Sequence, residues 1–437
     1  MKRILVIGAG KSATCLIEHL MGITAQKGWS LTVADADLSL ARSKVKEAAH
    51  CHAIQLDVSD EGKRRDCINQ SDIVVSLLPP HLHILAARTC LELSKNLLTA
   101  SYLDSAIKNI ENEINTKNIL FLYEMGLDPG IDHMSALDMI HGIEAKGGSI
   151  TSFYSHCGGL VAPESDDNPW HYKISWNPRN IVQAGKSGAV YLREGKTVQE
   201  PYEALFNPNR TIQVSGLPPL AWYPNRDSLG YISLYHLPHA RTFVRTTLRY
   251  PAFCLGWSNL IRLKLTDETP AYDTTGLSLK AFFQQHFKKH GVEAVAGPPG
   301  ESSRLILQQL LHLGLEDGAT IINKGLCSAM DVLQYCLEKK LALGPSDKDM
   351  IVMVHELEYT LGEKNLRKVS SLLVKGKDPL RTAMAQTVGL PLAIAATLIL
   401  EGKIKLKGLR IPTDPELYTP VLQELALQGI SFTEVDG

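Results

Sequence analysis

Arg3-Ile4-Leu5-Val6-Ile7-Gly8-Ala9-Gly10-Lys11-Ser12-Ala13, close to the start of the chain, joins a strand to a glycine turn and a helix. An apolar run of strand length enters a G-x-G-x-x-A turn, and Ile17, Leu20 and Met21 beyond it have helical spacing. Gly8 permits the tight turn, Gly10 lets backbone approach a pyrophosphate, and small Ala13 lets the helix pack closely on the sheet. The pyrophosphate would sit at the helix N-terminus, where unpaired N–H groups and the helix dipole favour an anion. A plain tight turn is the competing reading. The strand before it and the helix after it favour a dinucleotide.

Apolar runs recur at 3–7, 30–34, 52–56, 72–78, 96–99 and 119–123, with helical spacing between them, as at Ile107, Ile110 and Ile114. This alternation predicts an α/β fold with a doubly wound parallel sheet of the Rossmann type. Ligands of such sheets bind outside the carboxyl ends of the strands. Asp35 closes the second run 22 residues after Ala13, where a carboxylate accepts bonds from the adenosine ribose and repels a 2′-phosphate. NAD is therefore favoured over NADP. Asp35 has a competing role as a helix cap, but Asp37 is better placed for that. Asp57 ends the third run, either approaching the adenine or starting a turn. Leu78 and Pro79 end the fourth, as a wall beside the ribose or simply as a strand stop.

Directly after this pattern comes Gly126-Leu127-Asp128-Pro129-Gly130-Ile131-Asp132-His133, which opens a second domain with turn chemistry instead of another βα repeat. Pro129 and Gly130 turn the chain ahead of an amphipathic helix through Met134, Leu137, Met139 and Ile140. The fifth strand leads into Thr99-Ala100-Ser101-Tyr102, so Ser101, Tyr102 and Asp128 converge by topology where a nicotinamide would project. Asp before Pro is also an ordinary turn former.

Composition narrows the function classes. A chain of 437 residues is too long for one ordinary core, so two or three domains are expected. Lys and Arg number 45 against 46 Asp and Glu with no basic run, which leaves no electrostatic footprint for nucleic acid and points to a small-molecule partner. Lys11 and Glu18 interrupt the N-terminal apolar run, so no signal peptide is expected, and the longest apolar run, Leu390–Leu400, has 11 residues against the roughly 20 that span a bilayer. No membrane partner is expected. Eight cysteines without a C-x-x-C pair argue against structural zinc and a disulfide scaffold, and fit a reducing cytoplasm without a metal site.

Six blocks in order carry a family resemblance: TASY (99–102), GLDPGIDHM (126–134), SHCGGLVAPESDDNP (155–169), YKISW (172–176), YPNRDS (223–228) and RTTLRY (245–250). Together they resemble the saccharopine dehydrogenases and reductases of lysine metabolism over roughly residues 1–260. A weaker likeness runs on through VMVHELEY (352–359). The resemblance implies an L-glutamate-forming oxidoreductase that oxidises the secondary amine of saccharopine with NAD(P), or runs the reverse. It implies cofactor contacts at Gly10, Lys11, Ser12, Ala13, Asp35, Ala36, Asp37, Asp57, Val58, Leu78, Ala100, Ser101, Leu127, Asp128, Pro129 and Ser175. It implies substrate contacts at Ser101, Tyr102, Asp128, Arg226, Thr247, Leu248 and Arg249.

The chemistry agrees, because saccharopine's three carboxylates need fixed cations, which Arg226 and Arg249 supply, and its amines need an acid, which Asp128 supplies. Both arginines have an ordinary alternative as surface ion-pair residues. Tyr102, Asp128 and Cys157 are the candidates for proton transfer, and Cys157 has an equal claim to be a buried small side chain. NADP-using reductases carry a basic residue where Asp35 stands, while Lys11 near the phosphates leaves NADP usable. Two other readings compete: a carboxynorspermidine or carboxyspermidine dehydrogenase, and a non-catalytic cofactor-binding regulator.

The expected domains are 1–126, completed by about 390–437, and a substrate and homodimerisation domain over 127–389. The second has strands at Ser149–His156, Thr242–Tyr250, Met350–Tyr359 and Lys368–Lys375. Its mainly helical subdomain spans about 253–345, with helices at Leu277–His290, Ser303–Leu313 and Ile321–Leu341.

Overall fold

The computed structural model describes residues 1–46, 48–294 and 300–437. Two compact units emerge: Met1–Gly148 with Leu372–Thr433, and Ser149–Ser371 with Glu434–Gly437.

The apolar runs of the first unit become β1 (Arg3–Ile7), β2 (Ser30–Asp35), β3 (Cys51–Gln55), β4 (Ile73–Ser76), β5 (Asn96–Thr99) and β6 (Leu120–Leu122). They pair in parallel in the order β6-β5-β4-β1-β2-β3, so β1 and its glycine turn lie near the middle of the sheet. A seventh strand, Gly408–Arg410, joins parallel to β6 from the far end of the chain. Helices α1 (Thr14–Lys27), α2 (Leu38–Val45), α3 (Glu61–Asn69) and α4 (His83–Glu92) connect successive strands. Leu5, Ile7, Val74, Leu97 and Phe121 bury against Ile68, Ala86, Ala87 and Cys90.

The unit extends past the expected boundary at 126 and resumes before the expected return at 390. The physical reason is packing. Helix Ile131–Glu144 is buried on almost every side, and His141 Nδ1 meets Tyr418 Oη at 2.7 Å, on helix Pro415–Leu427. Helix Ala383–Leu400 crosses α1 so closely that a Cβ on Gly389 would stand 2.8 Å from the Leu16 amide nitrogen. That helix is long and apolar enough to span a membrane, but most of it is buried inside this unit.

The second unit is built on a ten-stranded mixed sheet. Its first seven strands in chain order are β7 (Ser149–Val161), β8 (Ala189–Arg193), β9 (Lys196–Glu200), β10 (Thr211–Ile212), β11 (Leu220–Pro224), β12 (Arg226–Asp227) and β13 (Thr242–Arg249). β13 runs parallel to β7, and strand Asp349–Leu361 lies antiparallel on the other side of β7. Helices Pro251–Arg262, Leu279–His290, Glu301–Leu313 and Ala329–Lys340 pack around Trp170, Phe253, Trp257 and Phe282. The helix expected over 321–341 begins only at Ala329, because Ser328 and Asp331 form a reciprocal cap and Leu326–Ser328 pairs as a strand with Pro270–Asp273. Within the expected helical subdomain, 295–299 lie outside the described residues.

Candidate functional site

At the end of β1, Gly8 takes φ +105°, and a Cβ there would lie 2.8 Å from the Leu77 carbonyl oxygen, so both conformation and space demand glycine. Gly10 is exposed, with open space where its Cβ would be. Lys11–Ala13 form a 3-10 turn before α1, so the expected helix start is tighter than an α-helix. Ala13 is buried, while Lys11 is exposed and Ser12 half-buried. Exposed backbone at Gly10 and an uncapped helical turn fit a dinucleotide pyrophosphate.

Asp35 ends β2 half-buried. Its Oδ2 accepts the Ala9 N–H at 2.7 Å and its Oδ1 the Asp37 N–H at 2.9 Å, which fixes a carboxylate beside the turn. Each oxygen keeps a lone pair for a ribose hydroxyl. Asp37 caps α2 by accepting from the amides of Ser39 and Leu40, and the Ser39 hydroxyl holds its carboxyl below the usual range. Ala36 is exposed and its carbonyl accepts from Gln55. Asp57 is also exposed and accepts both the amide and hydroxyl of Ser59, at 2.9 and 2.6 Å, in a turn, while Val58 is buried. Leu78 packs at the edge of the core, and Pro79 leads into the 3-10 turn Pro80–Leu82.

The polar groups at the ends of β5 and β6 meet. Tyr102 Oη donates to Asp128 Oδ1 at 3.1 Å. The Asp128–Pro129 peptide is cis. Gly126 donates its N–H to the Pro129 carbonyl, and its Cβ would come within 2.9 Å of the Ala100 Cβ. Leu127 is buried beneath, and Asp132 Oδ1 accepts the Gly130 N–H at 2.6 Å, so Asp132 starts its helix.

Two groups absent from the sequence reading complete this floor. Glu124 donates its N–H to the Ser101 carbonyl, accepts the Leu103 N–H at 2.9 Å, and meets the fully buried His133 ring at 2.9 Å, bracketing Tyr102 from both sides. His83 lies between Ser76 and Ser101, with Nδ1 2.8 Å from Ser76 Oγ and Nε2 2.6 Å from Ser101 Oγ. The available signals were a lone acid in an apolar strand exit, Tyr123-Glu124-Met125, and a histidine opening a helix after two prolines.

In the second unit, Cys157 sits in mid-sheet on β7, opposite Thr247 on β13, and is buried. The next residue, Gly158, passes so near Leu248 that a Cβ would lie 2.5 Å from its carbonyl oxygen. Leu248 itself is in the core with Leu160 and Met350. The two predicted cations differ sharply. Arg226 is exposed at φ +52°, on a short strand beside β8. Arg249 is 4% exposed, with Nη1 donating to the Leu248 carbonyl at 2.7 Å and its guanidinium over Tyr172 and Phe253 at 5.3 and 5.4 Å. Its Nε has no partner, and no carboxylate among the described residues pairs with it. By contrast, buried Lys173 is neutralised by Asp167 and Asp347. Ser175 is buried two residues on. A hollow of about 630 Å³ bounded by Leu192, Ile232 and His236 contains none of the predicted site residues.

The glycine turn, the acidic end of β2 and the strand order define a nicotinamide-dinucleotide-binding protein of the Rossmann class. Residues 4–122 match the saccharopine dehydrogenase NADP binding domain, and residues 126–430 match the saccharopine dehydrogenase C-terminal domain. The chain belongs to the saccharopine dehydrogenase family. It is 32% identical to the NADP(+), L-glutamate-forming saccharopine dehydrogenase of Saccharomyces cerevisiae over 97% of this chain and 96% of that one. The solved apo structure of the histidine-tagged L-Glu-forming saccharopine dehydrogenase from the same yeast superposes with TM-score 0.91 at 31% identity, covering 100% of both chains. The alpha-aminoadipic semialdehyde synthase of Arabidopsis thaliana is 34% identical over 99% of this chain, which spans only 44% of that protein's length. The mitochondrial synthase of Bos taurus is likewise matched over 47% of its length.

Proposed function

We propose that this protein is an L-glutamate-forming saccharopine dehydrogenase using NAD: saccharopine, NAD+ and water give glutamate, 2-aminoadipate 6-semialdehyde, NADH and a proton, or the reverse. The observation that carries this is Arg249, a buried guanidinium without a carboxylate partner among the described residues. A buried charge is costly unless paired, so this one awaits an anion, and a tricarboxylate amino acid provides it. The cofactor supplies a hydride acceptor and donor. The chain's own groups bind and move protons. Arg249 anchors a carboxylate, assisted by Arg226, and the Tyr102–Asp128 pair holds a proton at the Tyr102 oxygen for the amine and the water-derived hydroxyl. Cys157 supports the substrate strand as a buried side chain, and homodimerisation through the second-unit sheet and a reducing cytoplasm belong to the same reading.

The choice of NAD rests on Asp35, whose carboxylate stands at the adenosine-ribose end of the turn, where a 2′-phosphate would meet like charge. The Saccharomyces cerevisiae relative carries NADP(+) in its name and the matching N-terminal family is described as NADP binding, so this chain is proposed to differ from that relative in cofactor. Saccharopine turnover followed by reduced-nicotinamide absorbance tests the activity. Nucleotide binding without turnover would overturn it.

A further inference from the structure

Ser76, His83 and Ser101 form a linear chain of hydrogen bonds that the proposed chemistry does not use. Ser76 is the last residue of β4 and wholly buried, and His83 opens α4 at 2% exposed. Ser101 stands two residues beyond β5, half-buried, with its own N–H tied to Thr99 Oγ1 at 3.2 Å. The Ser76 hydroxyl has one proton and, among the described residues, one side-chain partner, His83 Nδ1. Leaving a buried hydroxyl proton without an acceptor is costly, so Ser76 donates to Nδ1. The ring proton of the neutral imidazole is then on Nε2 and is donated to Ser101 Oγ. Burial pushes the His83 imidazole down to about 4 against the opposing pull of Asp104, so the neutral ring is the working form near pH 7. With its oxygen already accepting from His83, Ser101 has its own proton left to give to a ligand.

The sheet says which ligand. Asp35 stands at the end of β2, the glycine turn at β1, and Ser101 two strands away on the other side, roughly 10 Å at the usual strand spacing. A dinucleotide with its adenosine at β2 and its pyrophosphate at β1 brings its nicotinamide ribose to β5. We propose that His83 is a positioning residue that fixes Ser101 as a hydrogen-bond donor to the ribose of the nicotinamide half of the bound nucleotide. This rests on the nucleotide placement of the proposed function, and not on the identity of the substrate.

Fluorescence titration of the full chain with NADH, alongside competition by ADP, tests it. His83→Phe and Ser101→Ala should each weaken NADH about tenfold, the double variant should lose no more than either, and ADP, which lacks the nicotinamide ribose, should bind all of them alike. His83→Gln, whose amide N–H replaces the ring N–H, should stay within about threefold of the parent protein. Ser76→Ala, a small change that keeps the fold if His83→Phe does not, should weaken NADH by about threefold without affecting ADP. Additive losses, parallel loss of ADP, or unaltered NADH affinity in Ser76→Ala would overturn the inference. Absence of saccharopine turnover would count against the proposed function alone, since none of these titrations contains saccharopine.

Discussion

Arg249 and Arg226 look alike in sequence and differ in everything that sets their energetics. Arg249 is enclosed by aromatic rings and a backbone carbonyl, so its field is little screened, whereas Arg226 faces solvent. Arg249→Met should therefore raise the saccharopine KM by about 30- to 100-fold, the worth of about 2–3 kcal/mol for a desolvated charge-assisted pair, and leave NAD affinity alone. Steady-state kinetics with a separate nucleotide titration checks this; an unchanged KM would remove Arg249 from the substrate site. Local roles were legible in the sequence: Asp37 caps α2 and Asp57 closes a turn because each bonds amides two or three residues on. The links from His83 to Ser101 and from Glu124 to Leu103 were not, because they span 18 and 21 residues and only the sheet brings them together.

Among the elements, β1, β4, β5 and β6 formed from apolar runs buried almost throughout, which needed no alternation to announce them, while β3 at the sheet edge is largely half-buried or exposed. Strand Gly408–Arg410 escaped notice, since three residues with a single large apolar side chain carry no period. The expected helix at 321–341 lost its first turns to a cap and a strand pair whose partner lies more than 50 residues upstream. A close helix crossing lies behind the glycine turn, where Gly389 also leaves only 3.2 Å between a would-be Cβ and the Ser12 carbonyl. Gly389→Ala should force helix Ala383–Leu400 away from α1, costing about 1–3 kcal/mol, which in a unit of this size lowers Tm by roughly 3–10 °C. Thermal unfolding with and without NAD measures it, and the unliganded protein should show the loss. A Tm equal to the parent's would mean the crossing has slack.

Across the whole chain, the expected first domain was discontinuous with its edges set at the turn chemistry, whereas the compact unit runs over Met1–Gly148 and Leu372–Thr433. The turn at 126–130 reads as punctuation, yet the helix behind it is buried with the C-terminal helix, a contact spanning 277 residues that no local pattern reports. Each unit also holds a buried neutral histidine, His83 in one and His156 in the other, both pushed down to about 4 by burial. Their unfolded pKa is about 6.5, so the unfolded chain binds protons first as pH falls. The stability they contribute is whole above pH 6.5 and is lost progressively towards pH 4. Calorimetric Tm should fall steadily from pH 7 to 4.5, and a flat profile would contradict neutral burial. Steady-state oxidation of saccharopine with NAD and NADP side by side, in the parent protein and in Asp35→Ala, decides whether this is an NAD-dependent saccharopine dehydrogenase. The expected result is turnover with a clear preference for NAD that collapses in Asp35→Ala. Nucleotide binding without saccharopine oxidation, or a preference for NADP that the substitution leaves unchanged, would contradict it.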